Sequence, residues 1–301
     1  MRFITQSKLA IFLTAAGISA LAFPAQAFTV TQNDDFADLL SLVLGDTTGL
    51  TNITGTTTGN SDAFGTFNDS PFGLETGVVL STGIAEEIPG ENTVDASAFT
   101  ADLSTAFENS SNPGALFDSA SFEVSFDADE TVDQLLFQYV FGSEEFLDFA
   151  GSSFNDFFTL ELNGVNLALL NDSVGEDNLV NVNNLAASPA GPFSTDYIDN
   201  PAGPDTLTKL DGYTQVLTFT GDVITGSNTL TIQVADVSDG IVDSAVFIRG
   251  ESLRTIPVDP EAVPEPAAIA SLLLLGCLGL GTHARGRRRL VSGHKTQHSD
   301  R

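Results

Sequence analysis

The chain has 301 residues and carries 40 Asp and Glu against 11 Lys and Arg, a formal charge of −29 at pH 7. Residues 28–263 hold 38 of these acidic residues and only Lys209, Arg249 and Arg254 as cations, which makes −35 for this region. That charge excludes nucleic-acid binding, which needs clustered Lys and Arg. The only cysteine, Cys277, and all three histidines lie beyond this region, which excludes disulfides and Cys- or His-based catalysis within it.

Residues 1–27 have the layout of a secretory signal peptide. Arg2 and Lys8 precede the apolar run Leu9–Phe23, and Ala25-Gln26-Ala27 is a small-x-small cleavage site. An uncleaved anchor is the alternative, but the run is short for a membrane span. We therefore predict export and a mature chain that begins at Phe28.

One helix is predicted near the start of the mature chain. Apolar residues at helical spacing, a cap at Asp34 or Asp35 and a stop at Gly45 define it, the apolar positions being Phe36, Leu39, Leu40, Val43 and Leu44. Residues 47–59 are rich in Thr and Gly and are predicted to form a loop.

Strand patterns dominate the rest of the region. Alternating or continuous apolar runs predict strands over residues 76–81, 121–126, 135–141, 215–220, 229–234 and 245–249. Asn163-Gly164, between two alternating runs, predicts a hairpin, and residues 171–208 are predicted to be mostly loop with short strands. Because no long helical pattern separates the strands, residues 28–256 are predicted to form a single antiparallel β-sandwich, with the jelly roll as a candidate form.

The C-terminal end predicts a linker, a membrane span and a basic tail. Residues 257–266 are proline-rich, residues 267–284 are apolar and uncharged, and residues 285–301 begin with a basic cluster that orients the span, namely Arg285, Arg287, Arg288 and Arg289. The motif Val263-Pro264-Glu265-Pro266, followed by this span and cluster, resembles the PEP-CTERM sorting signal of Gram-negative-type bacteria. The resemblance implies processing by an exosortase-type sorting protease; residues 290–301 extend beyond the family pattern.

Two acidic segments stand out as candidate metal sites. Each places carboxylates just after a predicted strand, and such oxygen-rich turns suit Ca²⁺. The candidate ligands are Glu144, Glu145, Asp148, Asn155, Asp156, Asp236, Asp239 and Asp243. The spacing is not that of an EF-hand, and solvated surface acids are the alternative. We predict that the two turns meet and share one or two Ca²⁺ ions, because their strands, 136–141 and 230–234, could be neighbours in one sheet.

Two classes of function remain open on the residues alone. A glycoside hydrolase would need two carboxylates at a set separation, and Glu144 or Glu145 with Asp156, Asp236 or Asp243 could supply them. A non-catalytic surface or matrix protein would instead bind extracellular polysaccharide or neighbouring surface proteins, with calcium as a structural ion. We favour the second class, in which only the C-terminal helix contacts a membrane.

Several motifs, taken together in order, resemble the choice-of-anchor L family. They are the run 77–83 (GVVLSTG), the run 141–146 (FGSEEF), residues 154–156 (FND), residues 197–200 (YIDN), Asp211-Gly212 and the run 235–247. The resemblance implies an extracellular domain joined to exchangeable surface anchors, without an established activity. It is consistent with a location at the cell surface or in the extracellular matrix, anchored to the membrane before sorting.

Overall fold

The computed structural model describes residues 27–95, 100–107 and 116–258. The predicted signal peptide up to residue 26, the PEP motif, the apolar span and the basic tail lie outside these residues. Within them the chain is mostly β-strand, with two α-helices, α1 (Phe36–Val43) and α2 (Val182–Leu185). The strands are β1 (Thr29–Gln32), β2 (Leu50–Thr58), β3 (Phe64–Asn68), β4 (Thr76–Ser81), β5 (Leu116–Ala128), β6 (Val132–Ser143), β7 (Phe157–Leu162), β8 (Val165–Asn166), β9 (Tyr197–Asp199), β10 (Gly212–Thr214), β11 (Leu217–Asp222), β12 (Gly226–Val237), β13 (Ser244–Arg249) and β14 (Arg254–Pro257).

The strands form two antiparallel sheets. The large sheet has the order β1-β3-β4-β13-β6-β10-β9, with β11 and β14 also paired to β6, and the small sheet has the order β2-β5-β12-β7-β8. Side chains of both sheets, such as Phe137 and Tyr139 on β6 and Leu160 and Ile232 opposite, form one buried core. This is the arrangement of a β-sandwich, as the sequence predicted.

The large sheet is buried on its second face as well. Phe67, Phe72, Val140 and Phe247 belong to a second apolar cluster there, and Phe72 packs 4.4 Å from Phe247 between ring centroids. Burial on both faces explains why β13 is a nearly continuous apolar run, since neither face needs polar residues.

The predicted helix and hairpin are confirmed. Asp35 caps α1 by accepting hydrogen bonds from the main-chain N–H groups of Ala37 and Asp38. Asn163 and Gly164 both have positive φ, 54° and 79°, as the tight turn between β7 and β8 requires. The second strand of the hairpin, β8, is only two residues long and pairs Val165 with Leu162 and Asn166 with Glu161.

Two predictions on the strands are wrong. Residues 47–59 are not a loop, since most of them form β2, an edge strand whose exposed Thr-rich residues lack an apolar alternation but pair with β5 through the main chain. The strands over 136–141 and 230–234 are not sheet neighbours. They belong to β6 of the large sheet and β12 of the small sheet, so their ends meet across the core.

Candidate functional site

Five carboxyl groups are buried together where the two sheets meet at one end of the sandwich. Glu144 and Glu145 follow β6, Asp156 precedes β7, Asp236 is the second-to-last residue of β12, and Asp243 precedes β13. Their side chains are between 0% and 2% exposed. The structure thus brings the two predicted acidic turns together. They meet because their strands belong to two facing sheets, not because the strands are neighbours in one sheet.

Asp156 joins the two sheets. Its Oδ1 accepts a hydrogen bond from the main-chain N–H of Val237 at 3.0 Å, at the end of β12 in the small sheet. Its Oδ2 accepts a hydrogen bond from the Ser244 hydroxyl at 2.7 Å, at the start of β13 in the large sheet. The Ser143 hydroxyl, at the end of β6, lies 2.9 Å from the Ser244 hydroxyl. The Asp156 carboxylate therefore links the end of β12 to the start of β13, and the Ser244 hydroxyl links β13 to the end of β6.

Glu144 and Asp243 hold the segment around residue 103 against the same end. The Glu144 carboxylate accepts hydrogen bonds from the main-chain N–H groups of Asp102 and Leu103, the latter at 2.6 Å. Asp243 Oδ1 accepts a hydrogen bond from the main-chain N–H of Thr105 at 3.2 Å. Both carboxylates therefore have hydrogen-bond donors. They hold residues 102–105, which form no strand, in place.

Asp236 is the exception in the cluster. A register shift between Val234 and Asp236 forms a β-bulge against β5, and three consecutive side chains from Val234 to Asp236 are buried as a result. Neither carboxyl oxygen of Asp236 has a hydrogen-bond partner, and Oε2 of Glu145 also has none. The Thr82 hydroxyl and the Asp156 carboxyl lie beside the Asp236 carboxyl and, after burial and the neighbouring charges, also influence its pKa.

The pKa values of all five groups are raised, first of all by burial. Burial raises the pKa of Glu144 to about 9 and that of Asp243 to about 8, against the lowering effect of their main-chain hydrogen bonds. Burial, followed by the neighbouring carboxyls, also raises the pKa values of Glu145, Asp156 and Asp236. An apolar environment disfavours the charged form, and no Lys or Arg of the described residues offsets this effect. Without a bound cation, several of these groups therefore hold protons at neutral pH.

Gly83 ends the sequence motif 77–83, and the structure shows why a glycine is needed there. A Cβ atom at this position would lie 1.8 Å from Oδ2 of Asp243, which is closer than any real contact. The preceding Thr82 is bound to Ser244, whose main-chain N–H donates to the Thr82 hydroxyl at 2.8 Å. Thr82 and Gly83, which follow β4, therefore leave room for the Asp243 carboxyl, which precedes β13.

Three of the predicted ligands do not belong to this group of five buried carboxyls. Asp239 is half-buried and close enough to Glu145 to raise the pKa of that carboxyl. The Asn155 side chain instead accepts a hydrogen bond from the main-chain N–H of Asn183 in α2, at 2.9 Å. Asp148 is exposed and lines a separate cavity. Asp118 was not among the predicted ligands, yet it is 3% exposed, accepts a hydrogen bond from the Phe107 N–H and contributes to the raised pKa of Asp243.

A cavity of about 250 Å³ lies beside the carboxyl cluster and combines carboxylates with apolar side chains. Its wall includes Phe146, whose ring centroid is 4.8 Å from that of Tyr197, and the Tyr197 hydroxyl donates to Asp199 at 2.9 Å. The lining residues are Asp95, Phe146, Leu147, Asp148, Pro189, Asp199, Pro201 and Asp211. Because Phe146 directly follows Glu145, the cavity and the carboxyl cluster share one connection.

The sequence model of the choice-of-anchor L domain matches residues 29–254. The chain belongs to the choice-of-anchor L family. This membership indicates a surface-associated, non-catalytic protein. No curated protein matches the chain. Among solved structures, a family 35 carbohydrate-binding module from an environmental isolate matches at 11% identity with a TM-score of 0.21, covering 60% of this chain and 98% of that one.

The described residues contain no helix that is both long enough and apolar enough to cross a membrane.

Proposed function

We propose that the chain is an exported, non-catalytic cell-surface protein whose ligand-binding domain is stabilised by Ca²⁺. Membership of the choice-of-anchor L family supports the surface location. The signal-peptide layout of residues 1–27 and the PEP-CTERM-like residues 263–289 support export followed by exosortase sorting.

The observation that carries the calcium proposal is the unpartnered carboxyl of Asp236. A buried carboxyl without a hydrogen bond or a cation costs several kcal/mol when ionised, so it binds either a proton or an ion. Asp156 and Glu145 add two more buried carboxyls beside it, and Oε2 of Glu145 is also without a partner. In residues 27–95, 100–107 and 116–258, no Lys or Arg forms an ion pair with a carboxylate. A divalent cation would neutralise the cluster.

The ion would take only part of its ligands from carboxylates. No three His, Cys, Asp or Glu side chains of the described residues are arranged to hold an ion by themselves. Ca²⁺ takes six to eight oxygen ligands, including main-chain carbonyls and water, and tolerates irregular geometry. Asp236 and Asp156 would therefore bind it, with Glu145 beside them and the remaining positions filled by carbonyls, hydroxyls or water.

The cavity beside the cluster supports binding of extracellular polysaccharide. Carboxylates such as Asp148 and Asp199 accept hydrogen bonds from hydroxyl groups, and the exposed Pro189 and Pro201 offer apolar surface to a sugar ring. A glycoside hydrolase is less well supported. The acids that could have been its catalytic pair are 0–2% exposed, so a glycan cannot reach them.

The proposal is tested by melting the purified full chain in detergent with calcium, with magnesium and with chelator. A hundredfold excess of free calcium over its dissociation constant should stabilise the domain by about 2.7 kcal/mol, and magnesium should stabilise it less. Incubation with a library of polysaccharides should show binding without cleavage. Equal melting temperatures under all three conditions would exclude a structural calcium ion, and release of reducing ends would exclude the non-catalytic assignment.

A further inference from the structure

The three cations of the acidic domain are unevenly placed. Arg249 and Arg254 line the same cavity, of about 250 Å³, and the third cation, Lys209, lies elsewhere. Neither arginine is paired with a carboxylate within the described residues, although the surrounding region has a formal charge of −35. Unpaired arginines in such a protein are available to an external anion.

The cavity is held in shape before any ligand binds. An Arg249 guanidinium N–H donates to the side-chain oxygen of Gln138 on β6 at 2.7 Å, which fixes the direction of the guanidinium group. The Ser252 hydroxyl donates to the main-chain carbonyl of Arg249 at 2.7 Å, and the Gln138 N–H donates to the Ser252 hydroxyl at 3.3 Å. The turn that carries both arginines is therefore fastened to the sheet, which lowers the entropic cost of binding.

We propose that Arg249 and Arg254 form a binding site for a single carboxylate or phosphate group carried by an otherwise uncharged ligand. Arginine presents a planar fork of N–H donors that matches both oxyanions, and Ser252 holds the turn between the two arginines in place. Glu251 lines the same cavity, so the site carries a net charge of only +1 and accepts one anionic group.

The charge of the whole domain restricts the ligand further. A polyanion would be repelled by the remaining carboxylates, whereas isolated anionic groups on a neutral body would be attracted once within a screening length of about 8 Å at physiological salt. The volume is just below the roughly 300–1,000 Å³ of drug-sized pockets, so it fits one sugar ring or one headgroup. A uronic-acid sugar and a phosphate-bearing headgroup share this chemistry.

Titration calorimetry on the full chain tests the site with three probes: a trisaccharide that carries one uronic acid and two neutral sugars, its methyl ester and inorganic phosphate. We expect the free acid or phosphate to bind and the neutral ester to bind at least about tenfold more weakly. Binding of the acid alone assigns a uronate ligand, and comparable binding of phosphate assigns a phosphate-bearing one. Equal binding of acid and ester, or no binding of either anion at millimolar concentration, would overturn the proposal.

Matched variants separate the site from general electrostatics. Arg249→Ala and Arg254→Ala should each weaken anion binding about tenfold or more, while Lys209→Ala, which removes the same charge elsewhere, should change it less than twofold. Glu251→Gln should tighten binding, a gain that loss of folding cannot imitate. An equal loss in Lys209→Ala would contradict the site.

The same titrations in chelator keep this proposal distinct from the calcium proposal. The anion site should bind equally well in calcium and in chelator, since its contacts come from arginine. Calcium-dependent melting should likewise be unchanged in Arg249→Ala. Anion binding that disappears in chelator and is unchanged in Arg249→Ala and Arg254→Ala would show that a metal ion bridges the anion to the protein. That result would overturn the arginine site.

Discussion

At the scale of single residues, two buried aspartates of the domain have pKa values that are shifted in opposite directions. Burial is the largest influence on Asp196, yet hydrogen bonds from Asn171, Asp172 and Gln215 outweigh it and lower the pKa of this carboxyl. Asp236 is equally buried but has no hydrogen-bond partner, so burial raises its pKa well above the ordinary value. The first is a structural anchor, and the second is the group that needs a proton or an ion.

Asp236→Asn should abolish stabilisation by calcium while leaving the stability in chelator unchanged or improved. The amide keeps the shape of the side chain but removes a carboxyl that is costly to ionise in this environment. Thermal melts of the full chain in calcium and in chelator measure both effects.

Asp196→Asn is the matched control for this prediction. It should lower the free energy of unfolding by about 2 kcal/mol under both conditions, because the amide loses acceptor capacity for several donors. If Asp236→Asn instead loses equal stability with and without calcium, Asp236 is a structural residue like Asp196.

Gly83→Ala should destabilise the domain by roughly 2–4 kcal/mol, because the added methyl group would occupy the position of the Asp243 carboxyl. Gly203→Ala is the control, since a Cβ atom there has only a main-chain oxygen within 4 Å, at 3.9 Å, and its φ is not positive. Chemical denaturation of both variants gives the difference. A Gly83 variant as stable as the Gly203 variant would show that the Asp243 carboxyl has room to move.

At the scale of elements, the cluster is a joint between strand ends, and its protonation should govern stability. The folded-state pKa of Glu144 is about 9 and that of Asp243 about 8, both above their ordinary values of 4.5 and 3.8. The folded protein therefore holds protons that the unfolded chain has released in this interval. For acids with raised folded-state pKa values, stability is complete below the unfolded pKa and is lost as pH rises through the folded pKa.

Stability in chelator should accordingly fall between about pH 5 and pH 9, and calcium should reduce the part of this fall that comes from Glu145, Asp156 and Asp236, because the ion replaces the protons on these groups. Thermal melts across this range measure it, and Glu144→Gln should reduce the slope. Stability in chelator that is constant or rises with pH would contradict the raised pKa values.

The elements that sequence patterns predicted best are those with local signals. The Asp35 cap of α1 and the Asn163-Gly164 turn depend on neighbouring residues alone, and both are confirmed. Strand β2 was missed because an edge strand is held by main-chain pairing to β5, which leaves no apolar alternation in its sequence. The bulge before Asp236 was equally invisible, since it exists only relative to β5.

At the scale of the whole molecule, the two ends of the sequence predict where the domain is found. We expect the mature protein to begin at Phe28 and the domain to be outside the cytoplasm, because residues 1–27 have the pattern of a cleaved signal. Mass spectrometry of the mature N-terminus and protease accessibility in intact cells measure this. Residues 1–27 still attached to the membrane-extracted protein would contradict it.

Replacing Arg285, Arg287, Arg288 and Arg289 with neutral residues should impair retention before sorting, since these charges orient the apolar span. Cell fractionation compares the variant with the unchanged chain. The control replaces Lys295 and Arg301, which lie farther from the span, and should leave retention unchanged.

The sequence by itself determined the acidity of the domain, its β-rich class, the position of α1 and the residues from which an ion site could be built. These follow from composition and from contacts between near neighbours in the chain. Only the tertiary structure decided that β6 and β12 lie in different sheets, that Asp156 ties strand ends of both, and that Asp236 is left without a partner. Burial and hydrogen-bond partners depend on which distant segments fold against each other, and no local pattern records that.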